Sequence, residues 1–245
     1  YIGTDQLSCS LDFPAASMKV SVIIPSYQAA RFVARAVESV LVQPEVGEVL
    51  LVEDGSTDGT LAACQSLTRD GRVRLLRHPG GCNHGAASSR NLGLAHAIQP
   101  FIAFLDADDE YLAGRFRVAA EHLADSTVDG VYETVQLRYE TAADRDRYIQ
   151  SRGSQELLTI RPGIEPLELF EQLLVGGAGF CSLDGLTLRR KFANSLGGFL
   201  VPLRLHQDTH LLLKAAYGGR LVAGQLDEPV AAAWIHPHNR ITSAT

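Results

Sequence analysis

Long apolar runs, clustered basic residues and closely spaced cysteines are all missing from this chain of 245 residues, and each absence excludes a class of function. The longest apolar stretches, VSVII and FIAFL, fall far short of the ~20 residues that a membrane-spanning helix needs. No secretory leader opens the sequence, so a cytoplasmic location is expected. A formal net charge of -6 provides no basic face for a phosphate backbone, and nucleic acid is not expected as a partner. Four cysteines, Cys9, Cys64, Cys82 and Cys181, are too widely separated for a zinc pattern or a disulfide framework, which fits a reducing compartment. The single methionine, Met18, directly precedes the first strand pattern, so residues 1–17 are read as an extension or tag remnant outside the fold.

What remains is ordinary globular composition, 46% hydrophobic and 20% charged, enough for a core without staples. The length suits one large α/β domain over residues 18–245. From Lys19 the run VSVIIP reads as a strand buried on both faces. RFVARAVESVLVQ follows with apolar residues at helical spacing until Pro44. A second strand is expected over Val49 to Val52 and a helix around Leu61, Cys64 and Leu67; a third strand over 72–76 and a helix in SSRNLGLAHAI come next. FIAFLDADD then reads as a buried strand running into carboxylates. This alternation predicts a mostly parallel, doubly wound sheet.

Beyond Leu112 the pattern weakens. Residues 138–165 resemble a solvated helix or a loop, and LELFEQLLV, LDGLTLRRKFANSLGGF and THLLLKAAYGG suggest a helix-rich half with a last strand near Pro229 to Ile235.

In such sheets a ligand sits beyond the carboxyl ends of the strands. Pro25-Ser26-Tyr27, Glu53-Asp54-Gly55 and Asp106-Ala107-Asp108-Asp109 fall there. Asp106 and Asp108 stand two apart, so in an extended backbone both carboxylates project to one side and suit a shared divalent cation. An acidic turn or helix cap is the plain alternative. Ser56 to Thr60 read as a capped helix start, with Asp58 or Ser56 as cap, while Asp54 is free to accept from a base N–H or a ribose hydroxyl.

Together, VSVIIPSYQAARFVARAVESVLVQ, LLVEDGSTDGT, AASSRNLGLAHA and FIAFLDADD resemble glycosyltransferase family 2, of the GT-A fold. The resemblance covers most of residues 19–112. It implies a nucleotide-sugar-binding half over 18–112 and an acceptor-side half over 113–245. It implies that Pro25 and Tyr27 line a nucleobase pocket, that Asp54 holds base or ribose with Glu53 in support, and that Asp106 meets ribose or diphosphate. Asp108 becomes a ligand of Mn2+ or Mg2+, and Arg90 a base or phosphate contact, with a surface helix arginine as its alternative. UDP is the commonest donor nucleotide in that family.

Gly197-Gly198-Phe199 and Leu205-His206-Gln207-Asp208-Thr209 resemble the family's GGF segment and the acidic pair before a helix, except that Gln207 replaces the first acid. Asp208 is then the expected general base, with a helix cap as the alternative. Trp234-Ile235-His236-Pro237-His238-Asn239-Arg240 resembles the late histidine segment without its usual Tyr-Arg. His236 is the expected metal ligand, His238 its rival, and an exposed turn histidine the alternative. His78, His84, His96, His122 and His210 follow no usable ligand spacing.

The expected activity is inverting, metal-assisted transfer of a sugar from a nucleoside diphosphate to an acceptor hydroxyl, the acceptor being a glycan, a lipid or a small molecule. The rivals are a sugar nucleotidyltransferase, which would want a Gly-rich basic loop that PSYQAARF does not supply, and a donor-binding protein without turnover.

Overall fold

The computed structural model describes residues 18–203, 205–237 and 239. Residues 1–17, with Cys9, and the rival His238 lie outside the described residues.

Strand β1 (Val20–Ser26) has apolar residues on both faces because helices cover both sides of it. Val20, Val22 and Ile24 enter one core, and Ile23 enters the other. Helix α1 (Val33–Leu41) buries Val33, Ala36, Val37 and Val40, the stripe its spacing predicts. Strand β2 (Val46–Glu53) starts three residues before the expected Val49. Glu48 hides that start: a carboxylate interrupts the apolar pattern, yet it is buried and accepts from the Ser21 hydroxyl at 2.5 Å, the Ile98 amide at 2.7 Å and Arg74 at 2.9 Å. A buried charge satisfied in this way is tolerated within a strand.

Helix α2 (Thr60–Leu67), strand β3 (Val73–Arg77), helix α3 (Ala86–His96) and strand β4 (Phe101–Phe104) follow as expected. The second half departs from its helix-rich expectation. It adds β5 (Glu110–Tyr111), α4 (Arg117–Leu123), β6 (Gly130–Tyr132), β7 (Val135–Tyr139), α5 (Ala142–Arg152), β8 (Leu157–Leu158), α6 (Leu169–Leu174), β9 (Leu186–Arg189), α7 (Arg190–Ser195), α8 (Gln207–Gly218), β10 (Leu221–Ala223) and β11 (Ala231–Ile235). LDGLTLRRKFANSLGGF is therefore a 3-10 turn, a strand and a short helix rather than one helical pattern. The solvated stretch 138–165 does contain a helix, α5, whose Thr141 hydroxyl accepts from the Asp144 amide.

The main sheet has seven strands in the order β10-β6-β9-β4-β1-β2-β3. β9 runs antiparallel to both β4 and β6, and every other pairing is parallel. A smaller sheet runs β5-β11-β7-β8. From β1 the chain winds outward through β2 to β3, then α3 returns it to the other side of β1 as β4. Strand order thus reverses between β1 and β4, and the loops beyond their ends splay apart there. That crevice takes the ends of β1, β2 and β4, as the three polar segments predict.

Candidate active site

On the β1–β2 side the two loops are laced together. Gln28, held at a left-handed φ of 51°, donates its amide to Ser56 Oγ at 3.1 Å and exchanges side-chain bonds with Thr57 at 3.0 and 3.2 Å. Asp58 accepts from the Thr60 amide at 3.1 Å and from Ala30 at 3.2 Å, so it rather than Ser56 closes the start of α2. Glu53 is fully buried; it accepts from the Ser56 amide at 2.6 Å and from Arg77 Nε at 2.8 Å. Burial works to raise its carboxyl, but the Ser56 and Arg77 bonds outweigh that and hold it below the usual range.

Asp54 is also buried, and each of its oxygens takes a backbone amide, His84 and Gly85, both at 2.8 Å. The same carboxylate therefore fixes the loop that enters α3, and it keeps spare lone pairs for a ligand. Pro25 is half-buried beside it in the fold, and Tyr27 is 51% exposed at the mouth of the crevice.

The acidic cluster follows β4, but not as an extended strand. The Asp109 amide donates to the Asp106 carbonyl at 3.0 Å, closing a turn, and Asp106, Asp108 and Asp109 each bring an oxygen within 4.8 Å of the others. Turning, not strand alternation, gathers the carboxylates. Asp108 Oδ2 lies 3.1 Å from His236 Nε2 and accepts from Asn239 Nδ2 at 2.9 Å. His236 is buried at 4% exposure and stacked on Phe32 at 4.6 Å, so it is no exposed turn histidine. Asp109 differs from its neighbours. It is buried, accepts from the Trp234 amide at 2.7 Å, and has its carboxyl pushed well up by burial and by the facing charges of Asp184, Asp108 and Asp106. Asp106, Asp108 and Asp109 are thus the carboxylates gathered closely enough for one hard divalent ion such as Mn2+ or Mg2+, and His236 reaches that group through Asp108.

Arg90 belongs to this site and not to the surface. Only 5% exposed, it donates to Asp106 Oδ1 at 2.5 Å and to Gln207 Oε1 at 3.4 Å, with its guanidinium 5.4 Å over the Phe199 ring. Gln207 opens α8, directly after His206 at a left-handed φ of 60°. Asp208 is the next residue, half-buried, with Oδ1 accepting from the Thr209 amide at 2.8 Å. Gln28 and His206 are the non-glycine residues with positive φ among those described, and such conformations cluster at ligand sites.

The structure brings Arg90, Asp106, Asp108, His236 and the start of α8 together on one side of the crevice, and Glu53 and Asp54 on the other. Asn239 and Asp184 were not anticipated as site residues, and Asp109 stood in the acidic triplet without a role. A lone carboxylate inside the apolar stretch CSLDGLTL is the one signal that marked Asp184.

A family model described as "Glycosyl transferase family 2" matches residues 21–193. The chain belongs to glycosyl transferase family 2. Among curated relatives, an uncharacterised glycosyltransferase of Rickettsia felis is 33% identical over 134 residues, covering 54% of this chain and 21% of that protein. The succinoglycan biosynthesis protein ExoU of Rhizobium meliloti is 39% identical over 102 residues, or 41% of this chain and 29% of its own. The chain therefore spans well under half the length of these two relatives. An uncharacterised glycosyltransferase of Nostoc sp. is 29% identical over 231 residues, covering 93% of this chain and 68% of that protein. Among solved structures, S. aureus TarS in complex with UDP-GlcNAc has a TM-score of 0.70 at 21% identity, covering 93% of this chain and 62% of that one. The Pyrobaculum calidifontis mannosyltransferase PcManGT, in complex with GDP-Man and Mn2+, has a TM-score of 0.59 at 20% identity, covering 92% and 59%. These likenesses show the GT-A fold.

Proposed function

We propose that this family 2 chain transfers a sugar from a nucleoside-diphosphate donor to an acceptor hydroxyl with inversion at the anomeric carbon. The observation that carries the reading is the Asp106–Asp108 turn, met by Arg90 on one side and His236 on the other, at the switch point of a parallel sheet. Asp54, Glu53, Pro25 and Tyr27 form the nucleoside side. UDP is the first donor nucleotide to test, supported by the TarS complex, and GDP the second, supported by PcManGT.

Asp106, Asp108 and His236 would hold Mn2+ or Mg2+, which when bound supplies positive charge to the leaving diphosphate. Arg90, held in a buried pocket, adds a fixed cation beside the same carboxylates. Asp208 takes the proton from the acceptor hydroxyl as that oxygen forms its bond to the anomeric carbon. The bond to the diphosphate oxygen breaks, and its electron pair leaves with the phosphate. The acceptor half spans residues 113–245.

A donor-binding protein without turnover is the second reading. It is favoured by Gln207, a neutral residue on Arg90 where the family usually has an acid.

A reducing, cytoplasmic setting is proposed on the wide spacing of the cysteines in the sequence. Among the described residues no helix is long and apolar enough to cross a membrane.

Thermal-shift titration with UDP, GDP and their sugar conjugates, with and without Mn2+, followed by a donor-hydrolysis assay, tests the proposal. Metal-dependent stabilisation by one nucleotide together with hydrolysis supports it. Stabilisation without hydrolysis favours the second reading, and no stabilisation by any nucleotide refutes both.

A further inference from the structure

The turn that carries Asp106 and Asp108 is held from outside its own half of the chain. Asp184, 3% exposed, accepts the Asp106 backbone amide at 3.2 Å through Oδ1, and its Oδ2 accepts from the Ser182 hydroxyl at 3.0 Å. Its own carbonyl takes Arg115 Nε at 2.8 Å, and Arg115 is fully buried against Glu133 at 2.7 Å. The next residue, Gly185, packs so closely that a Cβ would run into the Glu133 carbonyl oxygen, while Glu133 donates its amide to the Gly185 carbonyl at 2.9 Å. Asp184 is therefore fixed at main chain and side chain alike. It stands in the short turn before β9, the one antiparallel strand of the main sheet, which pairs with β4 itself.

The opposite flank of the turn is pinned from another element, since Asp109 accepts the Trp234 amide of β11. Burial and the charge of Asp106 push the Asp184 carboxyl up, and burial and the charge of Asp184 push that of Asp109 up.

We propose that Asp184 is a positioning residue: from the acceptor half it sets the turn that presents Asp106 and Asp108 to the cation. The inference rests on the cation-binding reading of that turn. Without the Asp184 acceptor the Asp106 amide loses its partner, and the carboxylates lose the backbone geometry that brings them within reach of one ion.

The test uses the full chain with Asp184→Ala, Asp184→Asn and, as a control for losing a buried acid elsewhere, Glu48→Gln. Backbone hydrogen exchange over residues 105–109 reads the turn, and titration with Mn2+ alone reads the cation site. Asp184→Ala should speed exchange of that segment about tenfold or more beyond any change in β1 and weaken Mn2+ binding roughly 10- to 100-fold. Asp184→Asn should restore most of both, because a carboxamide oxygen still accepts the Asp106 amide. Should the alanine chain not fold, Asp184→Ser, too short to reach that amide, takes its place. Exchange no faster than in Glu48→Gln overturns the proposal, and so does a loosened turn whose Mn2+ affinity is unchanged. A wild-type chain that binds no Mn2+ refutes the cation reading instead, while the exchange measurement still decides whether Asp184 holds the turn.

Discussion

His236 Nε2 lies 3.1 Å from Asp108 Oδ2 across 128 positions of sequence, so the end of the chain completes the site that the first half opens. Phe32 stacks on that imidazole with ring centroids 4.6 Å apart.

Replacing Asp108 by Asn should abolish Mn2+-dependent transfer while leaving the fold intact, because the residue is partly exposed and an amide still fits its neighbours. His236→Ala should weaken Mn2+ binding by at least the roughly 10- to 100-fold seen when outer partners of a metal site are lost. Isothermal titration of Mn2+ into each chain, with metal-free melting as a control, checks both. Unchanged affinity in Asp108→Asn sinks the ligand assignment.

Asp208→Asn should spare donor binding and cut turnover by about 10^2- to 10^4-fold, the usual worth of a general base. The companion variant, Gln207→Glu, places a second carboxylate on Arg90 next to the base. If Asp208 alone serves, that change should alter turnover by less than about tenfold. A rise from nothing to measurable activity would instead show that the natural chain binds without transferring. Initial rates and nucleotide affinity, measured on the same preparations, separate these outcomes.

The first half of the fold was legible because its signals are local. Strands buried on both faces read as unbroken β-branched runs, and α1 shows its apolar stripe directly. β9 was not legible: Leu186–Arg189 is four residues long and is followed at once by a helix, so its apolar residues merge into one helical spacing. What makes it a strand is its pairing with β4 and β6 on either side, which nothing in LTLR announces. The same limit applies to the site. Motif position is what singles out Asp54, Asp106, Asp108 and His236, and the structure places each of them at the crevice. Asp106 and Asp108 are gathered by a turn and not, as their spacing suggests, by an extended strand. Asp184 and Asn239 meet the acidic turn across long separations, 78 residues to Asp106 and 131 to Asp108. For Arg90 both readings, a base or phosphate contact and a surface helix arginine, stay open in the sequence because its partners, Asp106 and Gln207, lie on other elements.

Gly55 cannot be replaced without moving the loop beneath α3. Its φ is +74°, and a Cβ would stand 2.7 Å from the Asn83 nitrogen and the Cys82 carbonyl carbon, both backbone atoms. Gly55→Ala should therefore destabilise the chain by about 2 kcal/mol or more, combining left-handed strain with overpacking. It should also weaken nucleotide binding, because the displaced segment carries the His84 and Gly85 amides that hold Asp54. Urea melts and UDP titration test the two effects separately. A stable variant with normal UDP affinity counts against the loop's role.

Glu53 predicts a specific response to acid. Its carboxyl is held below the ordinary value in the folded chain, against the pull of burial, by the Ser56 and Arg77 bonds. A depressed folded value means that the stabilisation is complete above the ordinary carboxylate value of 4.5 and is lost as pH falls through the folded one. Arg77 is 40% exposed, so its ion pair contributes little, about 1 kcal/mol at most. The buried bond to the Ser56 amide should dominate. Glu53→Gln should thus cost about 1.5–3 kcal/mol near neutrality, the range for hydrogen bonds to charged groups. The difference from wild type should begin to shrink in urea melts as pH falls below the ordinary value of 4.5, and close only as pH passes through the lowered folded one, where the wild-type carboxylate also protonates. A gap of constant size from pH 7 to pH 3 would mean that the Glu53 charge does not hold the loop, and with it would go the argument that Glu53 supports Asp54 in gripping the nucleoside.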